Sequence, residues 1–280
     1  MILSFGPGAT MTMPMRLLLA LPGVLALASY LFAAWSGERI GPMARRALLL
    51  GWLAHAVSIV VDASGLGTGV GGARFGFAPA LSATLWMVLA VYVVESRMLP
   101  LPAPRRTLAA LGAAAVLLAM LFPGEVRPQA PSPWAPVHWV LGIASYGLFG
   151  AAVLHGVLLN MAERRMRSTE GVTTVSMLGM PLLRLEKLTF RFVAAGFAVL
   201  SAALLVGWEV SGPWRWDHKT VFSVMGWLVF AGLLAGRRVF GWRGRRATAW
   251  LYVGCGLLLL GYVGSRFVFE VVLHRPPISP

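Results

Sequence analysis

The stretch VHWVLGIASYGLFGAAVLHGVLLNM (Val137–Met161) decides the fold, because it contains no Asp, Glu, Lys or Arg. About 20 apolar residues in a helix cross the roughly 30 Å of hydrocarbon in a bilayer, so this stretch is long enough to span a membrane. Similar runs lie on both sides of it. They predict about eight transmembrane helices, at residues 17–35, 47–64, 78–95, 107–122, 137–161, 188–210, 220–235 and 247–273.

The composition of the chain excludes a soluble globular domain. Hydrophobic residues make up 58% of the 280 residues, charged residues make up 12%, and the mean hydropathy is +0.75. Soluble domains carry about 25% charged residues. Helices satisfy their own backbone hydrogen bonds in lipid, and the alternating pattern of a transmembrane β-barrel is absent. We therefore predict an all-α, polytopic integral membrane bundle that forms a single transmembrane domain over residues 1–280.

The net charge of +14 indicates membrane topology rather than a nucleic-acid partner. Most Lys and Arg residues fall in the loops after the first, third, fifth and seventh spans, at 39–46, 97–106, 164–191 and 237–246. Cytoplasmic loops carry an excess of basic residues, and no basic stripe follows a polar helix. The pattern predicts a multi-pass protein of the bacterial inner (cytoplasmic) membrane with both termini extracytoplasmic. Its partner is then the lipid bilayer, and it binds no nucleic acid.

The first span has a second interpretation as a secretory signal. Ala26 and Ala28 are spaced as in a signal cleavage site. The apolar stretch is long for a signal, so we keep it as a span. Several Met residues near the amino terminus leave the true start codon open.

The loop WEVSGPWRWDHK (Trp208–Lys219) concentrates aromatic, acidic and imidazole side chains on the predicted outer side. Indole rings can sandwich a planar macrocycle, and histidine is a common axial ligand of haem iron. His138 and His218 open the fifth and seventh spans on this side, so they could clamp haem iron from opposite faces. Asp217 could accept a hydrogen bond behind a ligand. The alternatives are an aromatic belt at the membrane surface and solvated histidines.

His55 is a further candidate, because an ionisable residue in the middle of a span is a functional hypothesis by default. Four residues share one helical face by their spacing: Trp52, His55, Ile59 and Asp62. This face could hold a buried haem ligand or a proton site, and the alternative is a neutral histidine hydrogen-bonded to a neighbouring helix. For His155, in the cytoplasmic half, we favour that alternative. His274 follows the last span and is predicted to be solvated.

Three segments resemble a known family. WDHKTVFSVMGWLVFAGLL (Trp216–Leu234) is similar to the segment after the tryptophan-rich loop in haem-handling cytochrome c assembly proteins of the CcsA/CcmC type. HWVLGIASYGLFG (His138–Gly150) resembles their helix that opens with an external haem-ligating histidine, and FAPALSATLWMVL (Phe77–Leu89) resembles their PLSNLYES-like helix start. ERRMR (Glu163–Arg167) and GWRGRR (Gly241–Arg246) resemble the shorter HemX/YpjD-like branch. The resemblance covers nearly the whole chain.

The resemblance implies a membrane-embedded haem-binding protein of cytochrome c biogenesis or haem homeostasis, which holds non-covalent haem b at the extracytoplasmic face. It implies a delivery or assembly factor rather than an enzyme. An apocytochrome c, or a second assembly subunit with a periplasmic domain, is then a further partner. By matching position, His138 carries over as an external ligand. Trp208, Trp214 and Trp216 remain of the tryptophan motif, and Trp214, Trp216 and Asp217 carry over as the haem-cradling loop.

The chain departs from the family pattern at its second ligand. His218 replaces the proline that follows the aspartate in the family's loop, and Phe75–Phe77 stands where the family has a histidine before the PLSN-like segment. His218 as the partner of His138 therefore follows from location alone. His55 is the remaining candidate for binding iron.

Two other functions remain open from the residues alone. A small-solute or ion transporter without haem would show discontinuous helices with paired polar groups near the midplane, and only His55 and His155 lie there. A membrane enzyme would need paired acids or a nucleophile with its base, and no such motif is present. Cys255 is the lone cysteine, which excludes an internal disulfide, a CxxC pair and a cysteine metal site.

Overall fold

The computed structural model describes residues 13–36, 40–66, 72–98, 102–128, 132–167, 182–210 and 216–272. Within these ranges, eight helices are long and apolar enough to cross a membrane. In chain order they are α1 Met13–Trp35, α2 Gly41–Ser64, α3 Phe77–Met98, α4 Pro102–Leu121, α5 Trp134–Arg167, α6 Leu182–Val210, α7 His218–Phe240 and α8 Gly244–Val272. The predicted all-α polytopic membrane bundle is confirmed.

Several helices begin before the apolar run that predicted them. α7 begins at His218 because the Asp217 carboxylate caps it, with Oδ1 accepting a hydrogen bond from the Thr220 N–H at 2.8 Å. α7 ends where Gly241 takes a left-handed conformation at φ 63°, as Gly65 does after α2 at φ 65°. Hydropathy locates only the part of a helix inside the hydrocarbon, so polar ends of this kind extend beyond it.

The segments that connect α2 to α3 and α4 to α5 form a short antiparallel ribbon. Strand β1 (Gly72–Phe75) follows α2, strand β2 (Glu125–Pro128) follows α4, and Phe75 pairs with Glu125. We call the end of the bundle that carries β1 and β2 the ribbon end. The opposite end, where α1 connects to α2, α3 to α4, α5 to α6 and α7 to α8, is the arginine end. Which membrane face each end meets stays a prediction.

The helices pack through two large hydrophobic clusters, one for each half of the chain, and a small third cluster between α5 and α6. Tyr30 and Leu89 belong to the cluster that α1–α4 form. In the second cluster Phe149 and Phe230 stack with ring centroids 3.9 Å apart. Glycines bring the backbones close, since a Cβ on Gly147 would lie 2.6 Å from the Cβ of Met87. This contact joins α5 to α3 and therefore joins the two halves.

Helix α8 changes pitch toward the ribbon end. It is α-helical over Gly244–Leu259, π-helical over Leu260–Gly264 and again over Val268–Val272. The Tyr146 hydroxyl on α5 donates a hydrogen bond to the Leu258 carbonyl at 2.5 Å, directly before the first π segment. π-Helical turns occur frequently at functional sites. The π-helical part of α8 is therefore a candidate border of a functional site.

Candidate functional site

One large cavity occupies the half of the bundle nearest the ribbon end. Its volume is about 910 Å³, and residues from all eight helices line it. Pockets for cofactors and other small molecules measure roughly 300–1,000 Å³, so this cavity has the size of a ligand site. Among the described residues, six histidine or charged side chains line it: His55, Asp62, Arg74, His138, Lys219 and Arg266.

His138 is held in one orientation by α6. It lies in the second turn of α5, half-buried, and its Nδ1 is 2.8 Å from the carbonyl oxygen of Ala203. A carbonyl only accepts hydrogen bonds, so Nδ1 carries the proton and Nε2 keeps its lone pair. Metal-ligating histidines commonly donate their other N–H to a carbonyl or carboxylate in this way. The ring therefore presents a ligand nitrogen that its surroundings have already oriented.

Gly207 makes room for this ring. It lies one helical turn after Ala203 on α6, and a Cβ built on it would lie 2.8 Å from Cε1 and 3.1 Å from Nδ1 of His138. Any other residue would push the imidazole away from the Ala203 carbonyl. The short side chains on this face of α6 thus set the position of His138.

His55 lines the same cavity but is hydrogen-bonded at both ring nitrogens. It is fully buried on α2, with Nδ1 at 3.2 Å from the Tyr30 hydroxyl and Nε2 at 2.7 Å from the Ser82 hydroxyl. These contacts join α2 to α1 and α3. To bind iron, His55 would have to release one of them. The structure therefore shows the interhelical hydrogen bonding that the sequence left as an alternative, in a residue that also faces the cavity.

The helical face predicted around His55 is only partly directed into the cavity. Ile59 and Asp62 line it, and Asp62 Oδ1 lies 3.3 Å from Nη1 of Arg74 on β1. Trp52 instead stacks on Trp86 of α3, with ring centroids 5.3 Å apart and each indole N–H donating to the other residue's carbonyl. The sequence spacing identified the helical face, but Trp52 packs against α3 and does not line the cavity.

The described ends of the predicted tryptophan-rich loop lie at the surface, and residues 211–215 lie outside the described residues. Trp208 is 59% exposed at the end of α6 and Trp216 is 70% exposed before α7. Trp214 lies outside the described residues, as does His274. His218 is exposed at the start of α7 and is not part of the cavity wall, although the next residue, Lys219, is. The structure therefore brings His138 together with His55, and not with His218.

Two charged residues inside the predicted spans were not singled out from the sequence. Arg266 on α8 is only 2% exposed and lines the cavity. Glu95 on α3 lies in the arginine-end half, where its carboxylate oxygens are 3.0 and 3.1 Å from Nε2 of His155. A charge inside a membrane span is itself a signal of function. This signal was missed because both charges lie toward the end of a predicted span, where charged residues are common.

Comparison with known proteins gives the family. The model of the cytochrome c assembly protein family matches residues 40–273. The chain belongs to this family. The relatives include a 28.8 kDa protein of Azospirillum brasilense, 30% identical over 69% of this chain and 76% of its own length. No solved structure matches the chain.

Two further relatives of this cytochrome c assembly protein have names that describe them. The cytochrome c biogenesis protein CcsA of Synechococcus elongatus is 30% identical over 44% of this chain, which is 36% of the CcsA length. The inner membrane protein YpjD of Escherichia coli is 28% identical over 55% of this chain and 60% of its own length. The matched part is thus a minority of CcsA and little more than half of YpjD.

The donor set in the cavity of this cytochrome c assembly protein fits haem better than a bare metal ion. Within the described ranges, no three His, Cys, Asp or Glu side chains converge on one point, whereas structural zinc needs four protein ligands. Haem iron needs only one or two axial ligands, and His138 offers an oriented one. Arg74, Lys219 and Arg266 supply positive charge for carboxylates in the same wall.

Proposed function

We propose that this cytochrome c assembly protein binds haem b non-covalently in the ribbon-end cavity and handles it in cytochrome c biogenesis or haem homeostasis. One observation carries the proposal. The Nδ1–H of His138 is committed to the Ala203 carbonyl, which leaves Nε2 as an iron ligand beside a cavity of ligand size. The haem would supply the iron. The protein would supply the histidine ligands, hold the haem in one orientation and shield it from water.

His55 is the better placed second ligand, and His218 is the alternative. His55 lines the same cavity as His138, and releasing Ser82 from its Nε2 would expose a second imidazole to the iron. His218 would have to enter from the surface at the start of α7. Binding iron through His55 therefore needs a side-chain change, and binding through His218 needs a movement of the helix end.

The exposed indoles form the proposed rim of the site. Trp208 and Trp216 are large apolar rings on the surface beside Lys219, which lines the cavity. With Trp214 they would cover the haem edge that projects from the cavity. Asp217 contributes to this rim by capping α7, which fixes the position of Trp216 just before the helix begins.

The proposed direction of haem handling follows from charge. Because basic loops favour the cytoplasm, the arginine end is the proposed cytoplasmic side and the ribbon end is the extracytoplasmic side, with both termini there. An apocytochrome c, or an assembly subunit with a periplasmic domain, would then meet the haem at the ribbon end. The protein acts as a haem-delivery factor in this scheme, and no bond is made on it.

The direct test is a haem titration of the purified protein in detergent. We expect one haem per chain and a Soret band that differs from that of haem in empty micelles. His218→Ala serves as a matched control for loss of a surface imidazole, and we expect it to keep the stoichiometry if His55 is the second ligand. A preparation that stays colourless after haem supplementation would refute the proposed function.

Gly207→Ala tests the orientation of His138 without removing a ligand. The added methyl would lie 2.8 Å from the ring, so the imidazole must tilt and its hydrogen bond to Ala203 must lengthen. Loss of such a supporting contact costs about 10- to 100-fold in metal affinity, and we expect that loss in haem affinity. Gly232→Ala is the control, since nothing lies within 4 Å of its added Cβ. Equal affinity in both variants would count against the assigned role of Gly207.

A further inference from the structure

We infer that Arg266 is the carboxylate anchor of the cavity, and that it binds a propionate of the ligand if the ligand is the haem proposed above. The inference rests on that proposed function and adds a recognition element to it. It assigns to Arg266 the choice between a porphyrin with free carboxylates and one without them.

The burial of Arg266 is the first observation. The residue is 2% exposed, and its Nε and Nη1 find no hydrogen-bond acceptor among the described residues. A guanidinium is not deprotonated in proteins, so the charge and its N–H groups remain in a buried position. Buried donors without acceptors are costly and therefore rare. Such a group beside an empty space of ligand size is expected to find its acceptor on the ligand.

The nearby acids balance the charge of Arg266 without satisfying its donors. Nη1 lies 3.6 Å from Oε2 of Glu125 and 3.8 Å from Oε1 of Glu270. Hydrogen bonds between N–H and oxygen span about 2.7–3.2 Å, so both distances are too long. The two carboxylates keep a buried cation tolerable and leave its Nε and Nη1 donors available to an oxygen that enters the cavity.

The charge of the rest of the cavity wall is balanced. The lining carries Arg74, Lys219 and Arg266 as cations and Asp62 as an anion, and its other titratable groups are histidine and tyrosine. Asp62 is paired with Arg74 at 3.3 Å, and Glu125 and Glu270 lie close to Arg266. The preference for a propionate therefore rests on the unpartnered donors of Arg266 and not on an excess of positive charge in the wall.

The position of Arg266 is restricted by burial. It stands between the two π-helical segments of α8 and is 2% exposed. Glu270, one turn further on, packs against the ribbon end, since a Cβ on Gly76 would lie 2.8 Å from Cα of Gly124 and 3.1 Å from Oε2 of Glu270. A carboxylate that binds Arg266 therefore orders a side chain that burial already restricts.

The test compares ferric haem with its dimethyl ester, in which both propionates are masked. In the wild-type protein we expect haem to bind on the order of 10- to 100-fold more tightly than the ester, as for a charge-assisted hydrogen bond. Arg266→Gln should lower haem affinity by that factor and leave ester affinity unchanged, so the preference disappears. Arg237→Gln is the matched control, since Arg237 is also ion-paired, to Glu186 at 2.9 Å, but lies at the arginine end.

The outcomes separate this inference from the proposed function. If wild-type protein binds haem and the ester equally well, haem binding stands and the carboxylate anchor is refuted. If Arg266→Gln weakens both ligands by the same factor, Arg266 is a structural residue and the inference is equally refuted. If wild-type protein binds neither ligand, the proposed function fails and the anchor fails with it. If the variant does not fold, equal binding of haem and the ester by the wild-type protein still refutes the anchor.

Discussion

His138→Ala is expected to lower the haem affinity of the purified protein by more than about 100-fold, because disturbing a mere supporting contact already costs 10- to 100-fold. The variant removes the imidazole whose Nδ1 is 2.8 Å from the Ala203 carbonyl and leaves the cavity otherwise intact. Haem titration followed by the Soret band measures the loss. Because His138 is half-buried and packs beside Gly207, the alanine removes little core volume, and the fold should persist.

Imidazole added to His138→Ala provides the control for misfolding. A free imidazole can occupy the space of the missing ring, so we expect it to restore part of the Soret band. His55→Ala and His218→Ala then identify the second ligand, since only the variant that removes it should change the spin state of the bound iron. Wild-type affinity in His138→Ala would show that iron is held elsewhere and would overturn the assignment of this histidine.

The membrane bundle was predictable because hydropathy is a local property of the chain. Each span needs only its own apolar residues to be recognised, and all eight predicted spans fall on helices of the structure. The helix ends were not predictable by the same means. α7 starts at His218 because of the Asp217 cap, and polar residues contribute nothing to a hydropathy window. The ribbon was missed since it pairs Phe75 with Glu125, a contact between segments far apart in the chain.

The sequence identified candidate residues of the site, but not the contacts that surround them. His138 was identified as a ligand candidate from the family resemblance, whereas its partner carbonyl at Ala203 lies 65 residues away. Nothing local could reveal that contact. His55 was recognised as an ionisable residue in a span, and its placement on the cavity of His138 depends on how α3 packs against both α2 and α5. Arg266 was not identified, because the sequence shows its charge but not its burial.

Glu95→Ala is expected to destabilise the protein by about 2–3 kcal/mol, near the lower limit for breaking a buried ion pair. The Nδ1–H of His155 donates a hydrogen bond to the Ala151 carbonyl at 2.8 Å. Its Nε2 lies 3.0 Å from the Glu95 carboxylate, and a hydrogen bond between these two acceptors requires one proton that they share. Removing the carboxylate leaves a nitrogen that is 1% exposed without a partner. Thermal unfolding in detergent measures the loss, with Glu209→Ala at an exposed helix end as the control.

Glu95→Gln separates the hydrogen bond from the charge. The glutamine amide can donate to a neutral Nε2 of His155, so the contact survives after the shared proton is lost, and we expect a cost below about 1 kcal/mol. Equal losses in the alanine and glutamine variants would mean that the ionic form carries the stability, contrary to this expectation. Since the pair lies in the arginine-end half and outside the cavity wall, haem affinity should stay unchanged in both variants. The bundle thus places two imidazoles in different surroundings: His155 is paired with Glu95 in the arginine-end half, and His138 lines the cavity that we propose for haem.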